Sequence, residues 1–306
     1  MKQFHILIFL VVLFISCNQS SQDAGGDSVP VATVDDAWGN HWYDGKGEVN
    51  TYTLRQSRYA DVHPGDAVLI FVTEDLMTDT QVKDEGQGNG KSTSVLKTNI
   101  LRRFTTGLYD YSIMSSVFTP VDRKQYPNTL KVTTSSQDWC GHSFMQLNHR
   151  GGKYKVQQFS YFQKEGDASF QVEADWTEDE ILNLIRLNPD LLPKGEIYIL
   201  PGTVFARLKH IDFQATKAMA STSKYQGTEF EGDLTTFTLE YPEYNRTLEV
   251  FYETKFPHQI VAWKESYPMI SGERSTTTAT LKHSERLPYW SLHDLEDMGK
   301  REEFGL

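Results

Sequence analysis

Cysteine and clustered positive charge are the two features that this sequence has least of. Its 306 residues include two cysteines, Cys17 and Cys140, which are too few for a disulfide framework. Lysine and arginine number 30 against 41 aspartates and glutamates, and the net charge is −11. Apart from Arg102-Arg103, no basic stretch is present to neutralise phosphates. Nucleic acid and direct docking on anionic membrane surfaces are therefore both disfavoured as interactions.

Repeats and metal-binding signatures are also missing. The sequence contains no heptad or collagen triplet, which excludes the fibrous classes. It has no HExxH and no CxxC motif, and its nine histidines are scattered. We therefore expect no metal and no other cofactor, although spacing alone does not address a site assembled in three dimensions. With 39% hydrophobic and 23% charged residues, the chain has the composition of an ordinary folded protein.

The longest apolar run lies near the N-terminus, from Phe4 to Ile15, and Lys2 precedes it. A spanning helix needs about 20 apolar residues, so residues 1–16 are predicted to be a signal peptide. The sequence Leu-Phe-Ile-Ser-Cys at residues 13–17 resembles the lipobox of bacterial lipoproteins. This resemblance implies cleavage before Cys17 and lipidation of Cys17, for example with palmitate. A buried N-terminal helix is the alternative, but the polar segment that follows gives such a helix nothing to pack on.

The segment from Asn18 to Asp36 contains mainly Ser, Gln, Gly, Asp and small residues, so it is predicted to be a flexible tether. Residues 17–36 would then hold a domain, residues 37–306, away from the membrane while the lipid supplies the anchor. Asn18 in place of aspartate after the lipidated cysteine disfavours retention in the inner membrane. We expect an exported protein anchored in the outer membrane, on its periplasmic or surface face.

Short alternating runs bounded by turns dominate the remaining sequence. They are rich in Val, Ile, Thr, Tyr and Phe, the residues that favour strands. The predicted strands are residues 48–59, 67–74, 130–135, 143–148, 154–162, 197–200, 203–210, 235–241, 246–255, 259–266 and 275–283, with two more strands in 96–117.

One helix is predicted at residues 177–192, because Thr177 and Glu180 form a capping box before an apolar run. A short helix is also predicted near residues 291–298. Together these elements predict a mainly β fold, with a large curved or barrel-like antiparallel sheet and one inserted helix. The pattern is compatible with two halves, residues 37–175 and 194–290, that are joined by the helix. It is equally compatible with a single continuous barrel.

Two local motifs suggest chemistry. Residues 85–92 (EGQGNGKS) are similar to a phosphate-binding loop, but Glu85 stands where that loop requires glycine, so a polar hairpin loop over residues 78–94 is favoured. The run Asp138-Trp139-Cys140-Gly141-His142 places a thiol near an imidazole, which makes Cys140 and His142 candidate catalytic residues. A buried, unreactive thiol beside a turn is the favoured alternative.

Aromatic residues cluster at both ends of the predicted domain, with Trp38, Trp42 and Tyr43 near its start and Tyr289-Trp290 near its end. Such residues line sugar or apolar sites in some proteins. In β-rich folds they more often pack in the core, and we expect that role here.

Segments 51–75, 94–121, 130–148 and 195–210 resemble a family of bacterial lipoproteins often labelled septum formation inhibitor Maf. The chain lacks the Ser-x-Ser-x-Arg-Arg loop of Maf pyrophosphatases, so no catalytic residue is carried over. The C-terminal half, including residues 256–263 and 278–290, is similar to periplasmic lipoprotein-carrier sheets. That similarity implies a curved sheet round an apolar cavity closed by a helix.

These observations favour a non-catalytic, lipid-anchored envelope protein that binds an apolar or amphiphilic ligand in a cavity of several hundred Å³, the usual size of a ligand pocket. One alternative is a hydrolase or transferase that uses Cys140 and a histidine. Another is a structural partner of envelope machinery, and the protein partner is not specified by the sequence.

Overall fold

The computed structural model describes residues 34–86, 90–269 and 271–306. The predicted signal peptide, Cys17 and most of the predicted tether lie outside the described residues. The strands are β1 (Gly47–Arg58), β2 (Asp61–Met77), β3 (Ser92–Thr106), β4 (Tyr109–Pro120), β5 (Lys131–Asp138), β6 (Gly141–Arg150), β7 (Lys153–Ser160), β8 (Ala168–Val172), β9 (Trp176–Thr177), β10 (Gly195–Leu200), β11 (Thr216–Lys224), β12 (Leu234–Tyr241), β13 (Arg246–Glu253), β14 (Ile260–Pro268) and β15 (Arg274–Leu287).

The helices are short. They are α1 (Asp36–Trp42), α2 (Ile181–Leu187), α3 (Thr203–Lys209) and α4 (Met298–Glu303), and single 3₁₀ turns cover Glu178–Glu180, Pro189–Leu191, Tyr289–Ser291 and Leu295–Asp297. No helix in the described part of the chain is long and apolar enough to cross a membrane.

All fifteen strands belong to one sheet, in the order β8-β7-β6-β5-β4-β3-β2-β1-β15-β14-β13-β12-β11-β10-β9. Every neighbouring pair is consecutive in the chain except β1 and β15, which join the first strand to the last. All pairs are antiparallel except β9 with β10, which is parallel. The sheet is not closed, and its two free edges, β8 and β9, are themselves consecutive in the chain. The predicted class, mainly β with a large curved antiparallel sheet, is confirmed.

Helix α2 lies inside the curve of the sheet. Its apolar residues Ile181, Leu184 and Ile185 share one core with residues of β1 to β4 and of β10 to β15. The predicted capping-box residues begin the preceding 3₁₀ turn, where the Glu180 carboxylate accepts from the Thr177 N–H at 3.0 Å. The sequence therefore predicted correctly where this helical segment begins.

Polar side chains of α2 reach the wall formed by β3 and β4. Fully buried Asn183 donates to the Leu96 carbonyl and the Thr119 hydroxyl at 2.9 Å each, and it accepts from the Thr98 hydroxyl. Because a buried amide without partners is costly, these bonds fix α2 against this wall.

The other buried polar group on α2 is Arg186. Its guanidinium donates to the Glu48 carboxylate on β1 and lies 5.2 Å from the ring centroids of both Trp42 and Phe71. Trp38 of α1 donates its indole N–H to the Arg186 carbonyl at 2.9 Å. Burial alone would raise the pKa of Glu48, but Arg186, His41 and Asn50 lower it to about 2. Trp38 and Trp42 therefore have the core role expected for them.

Several predicted elements need correction. Residues 203–210 were predicted as a strand but contain α3. Strand β10 ends just before them, and the buried residues of α3 lie on all sides of the helix rather than on one face. The helix predicted at 177–192 is two 3₁₀ turns flanking the seven residues of α2. The terminal helix, predicted at 291–298, starts at Met298. The two strands predicted within 96–117 are confirmed as β3 and β4.

The buried ion pair gives a stability prediction. We expect Glu48→Gln to lower the free energy of unfolding by about 3–5 kcal/mol, because it leaves the Arg186 guanidinium buried without a counter-charge. Urea denaturation measures this loss. Glu240→Gln, which removes an exposed carboxylate on β12, is the matched control and should change stability little. Equal losses in the two variants would contradict the role given to the ion pair.

Candidate functional site

The interior holds less space than expected. Between α2, α3 and the wall formed by β13 and β14 lies a cavity of about 60 Å³, and a second cavity beside α3 measures about 20 Å³. Neither cavity approaches the several hundred Å³ expected of an apolar ligand pocket inside the sheet. The larger cavity has room for a few water molecules.

Charged groups line one end of the larger cavity. Arg246 on β13 donates to both carboxylate oxygens of Glu178, at 2.5 and 2.7 Å, and to Glu265 on β14 at 2.8 Å. Tyr241 also donates to Glu178 at 2.7 Å. Burial opposes ionisation of Glu178, but Arg246 outweighs it and lowers the pKa of this carboxyl. The network joins the residues that precede α2 to the wall opposite β3 and β4.

Asp179 is the exception in this network. Its carboxylate accepts from the Thr203 N–H at 3.0 Å and from the Thr203 hydroxyl at 2.8 Å, and no ion pair involves it among the described residues. Burial and the neighbouring Glu178 raise the pKa of Asp179 to about 7 despite those bonds. Asp179 is thus a buried group that changes charge near neutral pH.

The candidate catalytic residues Cys140 and His142 are both exposed and are not hydrogen-bonded to each other in this described segment. Cys140 lies exposed in the turn between β5 and β6, where its backbone N–H donates to Asp138 at 2.7 Å. The expectation of a buried thiol is therefore wrong. His142 is exposed at the start of β6. The segment that is similar to a phosphate-binding loop includes residues 87–89, which lie outside the described residues.

A larger apolar site lies on the outer face of the sheet. Val49 on β1, Val68 and Ile70 on β2 and Leu101 on β3 point away from the interior and form its floor. Val49 pairs with Ile70 in register, and Val68 pairs with Leu101. Outward positions of a solvated sheet are normally polar, so this cluster indicates a covered or ligand-binding surface.

The segment after β15 forms the wall of this site. Tyr289, Leu292 and Phe304 pack over the floor, and the Phe304 carbonyl accepts from the Thr51 hydroxyl at 2.8 Å. Gly305, at φ +63°, ends α4 in the left-handed conformation that favours glycine. Together the floor and wall enclose a groove of about 280 Å³, which we call the outer groove. Its remaining lining residues are Arg103, Leu287, Asp297, Lys300, Arg301 and Leu306.

The rim of the outer groove is mainly cationic. Arg103 and Arg301 are exposed, and neither guanidinium group makes a hydrogen bond or ion pair within the described residues. Lys300 is paired with Glu303 at 2.7 Å and with Glu285 at 3.5 Å, and Asp297 is the only acid in the lining. Two guanidinium groups are therefore free to bind an anion at the edge of an apolar surface.

Sequence reasoning missed the outer groove. The signal for it was the unbroken apolar run Ala67–Val72, since a strand apolar on both sides is covered on both faces. Arg103 had been noted only as part of a basic pair. Its position over the groove depends on the β2–β3 register and on the chain after β15, neither of which follows from local sequence. Trp290, in the aromatic cluster near the end of the predicted domain, is exposed and does not have the core role expected for it.

Comparison with known proteins assigns no family to the chain. No family model matches the sequence, and no curated protein matches it. A weak similarity relates the chain to one solved structure, Aeromonas veronii immune modulator A, at 9% identity and a TM-score of 0.18, with 78% of this chain and 93% of that chain covered.

The raised pKa of Asp179 gives a pH prediction. A carboxyl with a pKa near 7 in the folded state and about 3.9 in the unfolded state favours folding when protonated, so its contribution is lost as pH rises from 4 through 7. Asp179→Asn keeps an acceptor for Thr203 and removes the ionisation. We expect the variant to gain stability relative to the natural protein between pH 5 and pH 8, measured by urea denaturation.

Asp175→Asn, at an exposed position four residues earlier, is the control. Its stability relative to the natural protein should not change over the same pH range. A difference between Asp179→Asn and the natural protein that is independent of pH would show that Asp179 is already ionised in the folded state.

Proposed function

We propose that this chain is a non-catalytic binding protein and that the outer groove holds one amphiphilic molecule with an anionic head. The observation that supports this most is the pairing of an apolar floor with two unpaired guanidinium groups on the same rim. A volume of about 280 Å³ is close to the lower end of the range for small-molecule sites. It suits a single hydrocarbon chain rather than a bulky ring system.

The two parts of such a ligand have separate partners. Its apolar chain would lie over Val68, Ile70 and Leu101, where burial contributes about 0.8 kcal/mol for each CH₂ group. Its phosphate or carboxylate would accept hydrogen bonds from Arg103 and Arg301. These are charge-assisted bonds, the stronger class in water-exposed sites. Neither part requires a nucleophile or a general base, and this is why we favour binding over catalysis.

The anchoring proposed for the N-terminus fits the same function. We infer that Cys17 is lipidated after export and that residues 18–36 tether the folded part to the outer membrane. A tethered protein meets envelope amphiphiles at high local concentration. The resemblance of the C-terminal half to lipoprotein-carrier sheets supports the same ligand class, although the site proposed here is on the outside of the sheet.

Titration calorimetry with dodecyl phosphate, below its micelle concentration, tests the proposal. We expect one molecule to bind per chain, and we expect Arg103→Gln/Arg301→Gln to weaken binding by about tenfold, because two exposed charge pairs together contribute about 1–2 kcal/mol. Both arginines are exposed, so the variant should fold normally.

Arg55→Gln is the matched control, since Arg55 is exposed on the outer face of β1 but does not line the groove. It should bind dodecyl phosphate as the natural protein does. Dodecyl maltoside, with the same chain and an uncharged head, should bind weakly. Equal binding of the two amphiphiles, or an unchanged affinity in the double variant, would refute the proposal.

A further inference from the structure

A second exposed surface lies on strands β4 to β7, away from the outer groove. Phe144 on β6, Phe159 on β7 and Tyr161 just after β7 are 37%, 50% and 72% exposed. Trp139, in the adjoining turn between β5 and β6, is 67% exposed. Soluble proteins rarely leave several large aromatic rings in contact with water at one place, so this concentration indicates a binding surface.

The register places Phe144 and Phe159 side by side in a row of residues that crosses the strands. Met114, Ser135, Phe144 and Phe159 are successive cross-strand partners on β4, β5, β6 and β7. The next row contains Ser112, Gln137 and His142, and the Tyr161 N–H donates to the His142 carbonyl at 3.2 Å. Because alternate residues point to opposite faces, the strand residues of both rows face outward, while Met145 and Val156, at alternate positions of β6 and β7, pack inside.

Glycine keeps one of the rings in place. A Cβ atom on Gly141 would lie 2.8 Å from the Tyr161 ring, so the ring rests directly on the backbone at the start of β6. We call the outward surface formed by Phe144, Phe159 and their polar neighbours, with Tyr161 at its edge, the aromatic face.

The aromatic face borders an open groove of about 540 Å³ whose other side chains are uncharged donors and acceptors apart from one acid. The lining residues other than the rings are Ser112, Ser135, Ser136, Ser143, Ser160, Gln137, His142 and Asp167. Neither lysine nor arginine occurs in this lining. The groove therefore offers no counter-charge to phosphate, nucleic acid or anionic lipid heads, whereas a neutral ligand rich in hydroxyls needs none.

We infer that the aromatic face binds an uncharged carbohydrate chain. The apolar C–H faces of sugar rings pack on Phe144 and Phe159, with Tyr161 at the edge, and sugar hydroxyls exchange hydrogen bonds with Gln137, His142 and Asp167. Two rings side by side on neighbouring strands, flanked by polar side chains, suit a linear chain of a few sugar units. This site is independent of the outer groove and does not rest on the function proposed for it.

Titration calorimetry with chitotetraose and cellotetraose tests the inference on the chain from Asn18 onward, which keeps every residue that the structure describes. We expect at least one of the two oligosaccharides to bind. Phe159→Ala should weaken that binding by about tenfold or more, as truncation of a central aromatic contact does. Tyr198→Ala, which removes an equally exposed ring on β10, is the control and should bind normally.

Sedimentation of the same samples identifies the main competing occupant, a second copy of the chain. The inference predicts that Phe159→Ala leaves the oligomeric state unchanged. It is overturned if neither oligosaccharide binds, if Phe159→Ala and Tyr198→Ala bind alike, or if the natural protein is a dimer that Phe159→Ala dissociates.

Discussion

The rest of the structure depends on how the buried polar groups of α2 are satisfied. A seven-residue helix has little stability by itself, so its place inside the sheet must come from contacts with the walls. Asn183 holds it to β3 and β4, Arg186 holds it to β1, and the residues just before it reach β13 through Glu178. Because each group would be costly to bury without its partner, strands β1, β3 and β4 on one side and β13 on the other are held at fixed positions around the helix.

This arrangement explains why the potential sites are on the outside. Helices α2 and α3 occupy the curve of the sheet, the cavity between them and β13 and β14 measures only about 60 Å³, and charged groups line one end of it. The pairing of β1 with β15 then brings the chain after β15 back over the outer face of β1 to β3. That return both covers the apolar residues of β2 and carries Arg301 to the rim beside Arg103. The outer groove is thus a consequence of joining the first strand to the last.

Local sequence predicted the class of fold and most of the strands, because alternation and turn chemistry are local properties. It failed where tertiary surroundings decide. Residues 203–210 contain β-branched and aromatic residues typical of strands, but burial on all sides of α3 removed the helical periodicity that would have distinguished them. Short edge strand β8 and the small-residue strand β11 gave signals too weak to detect.

The same reasoning applies to the sites. The run Ala67–Val72 indicated a strand covered on both faces, but nothing in its neighbourhood names the segment that covers it. Phe144 and Phe159 are fifteen residues apart, and only the β6–β7 register places them side by side on the outer face. Cys140 and His142, two residues apart in sequence, suggested a catalytic site but make no hydrogen bond with each other among the described residues. Sequence proximity was therefore a poor guide to function in this chain.

The most direct test of the account is native mass spectrometry of the chain from Asn18 onward, produced in a bacterial periplasm and purified without detergent, followed by organic extraction. The account predicts one bound amphiphile per chain, with an anionic head and a single hydrocarbon chain, and its loss from Arg103→Gln/Arg301→Gln. A mass that corresponds to the unliganded chain alone, or a neutral lipid retained equally by that variant, would contradict it.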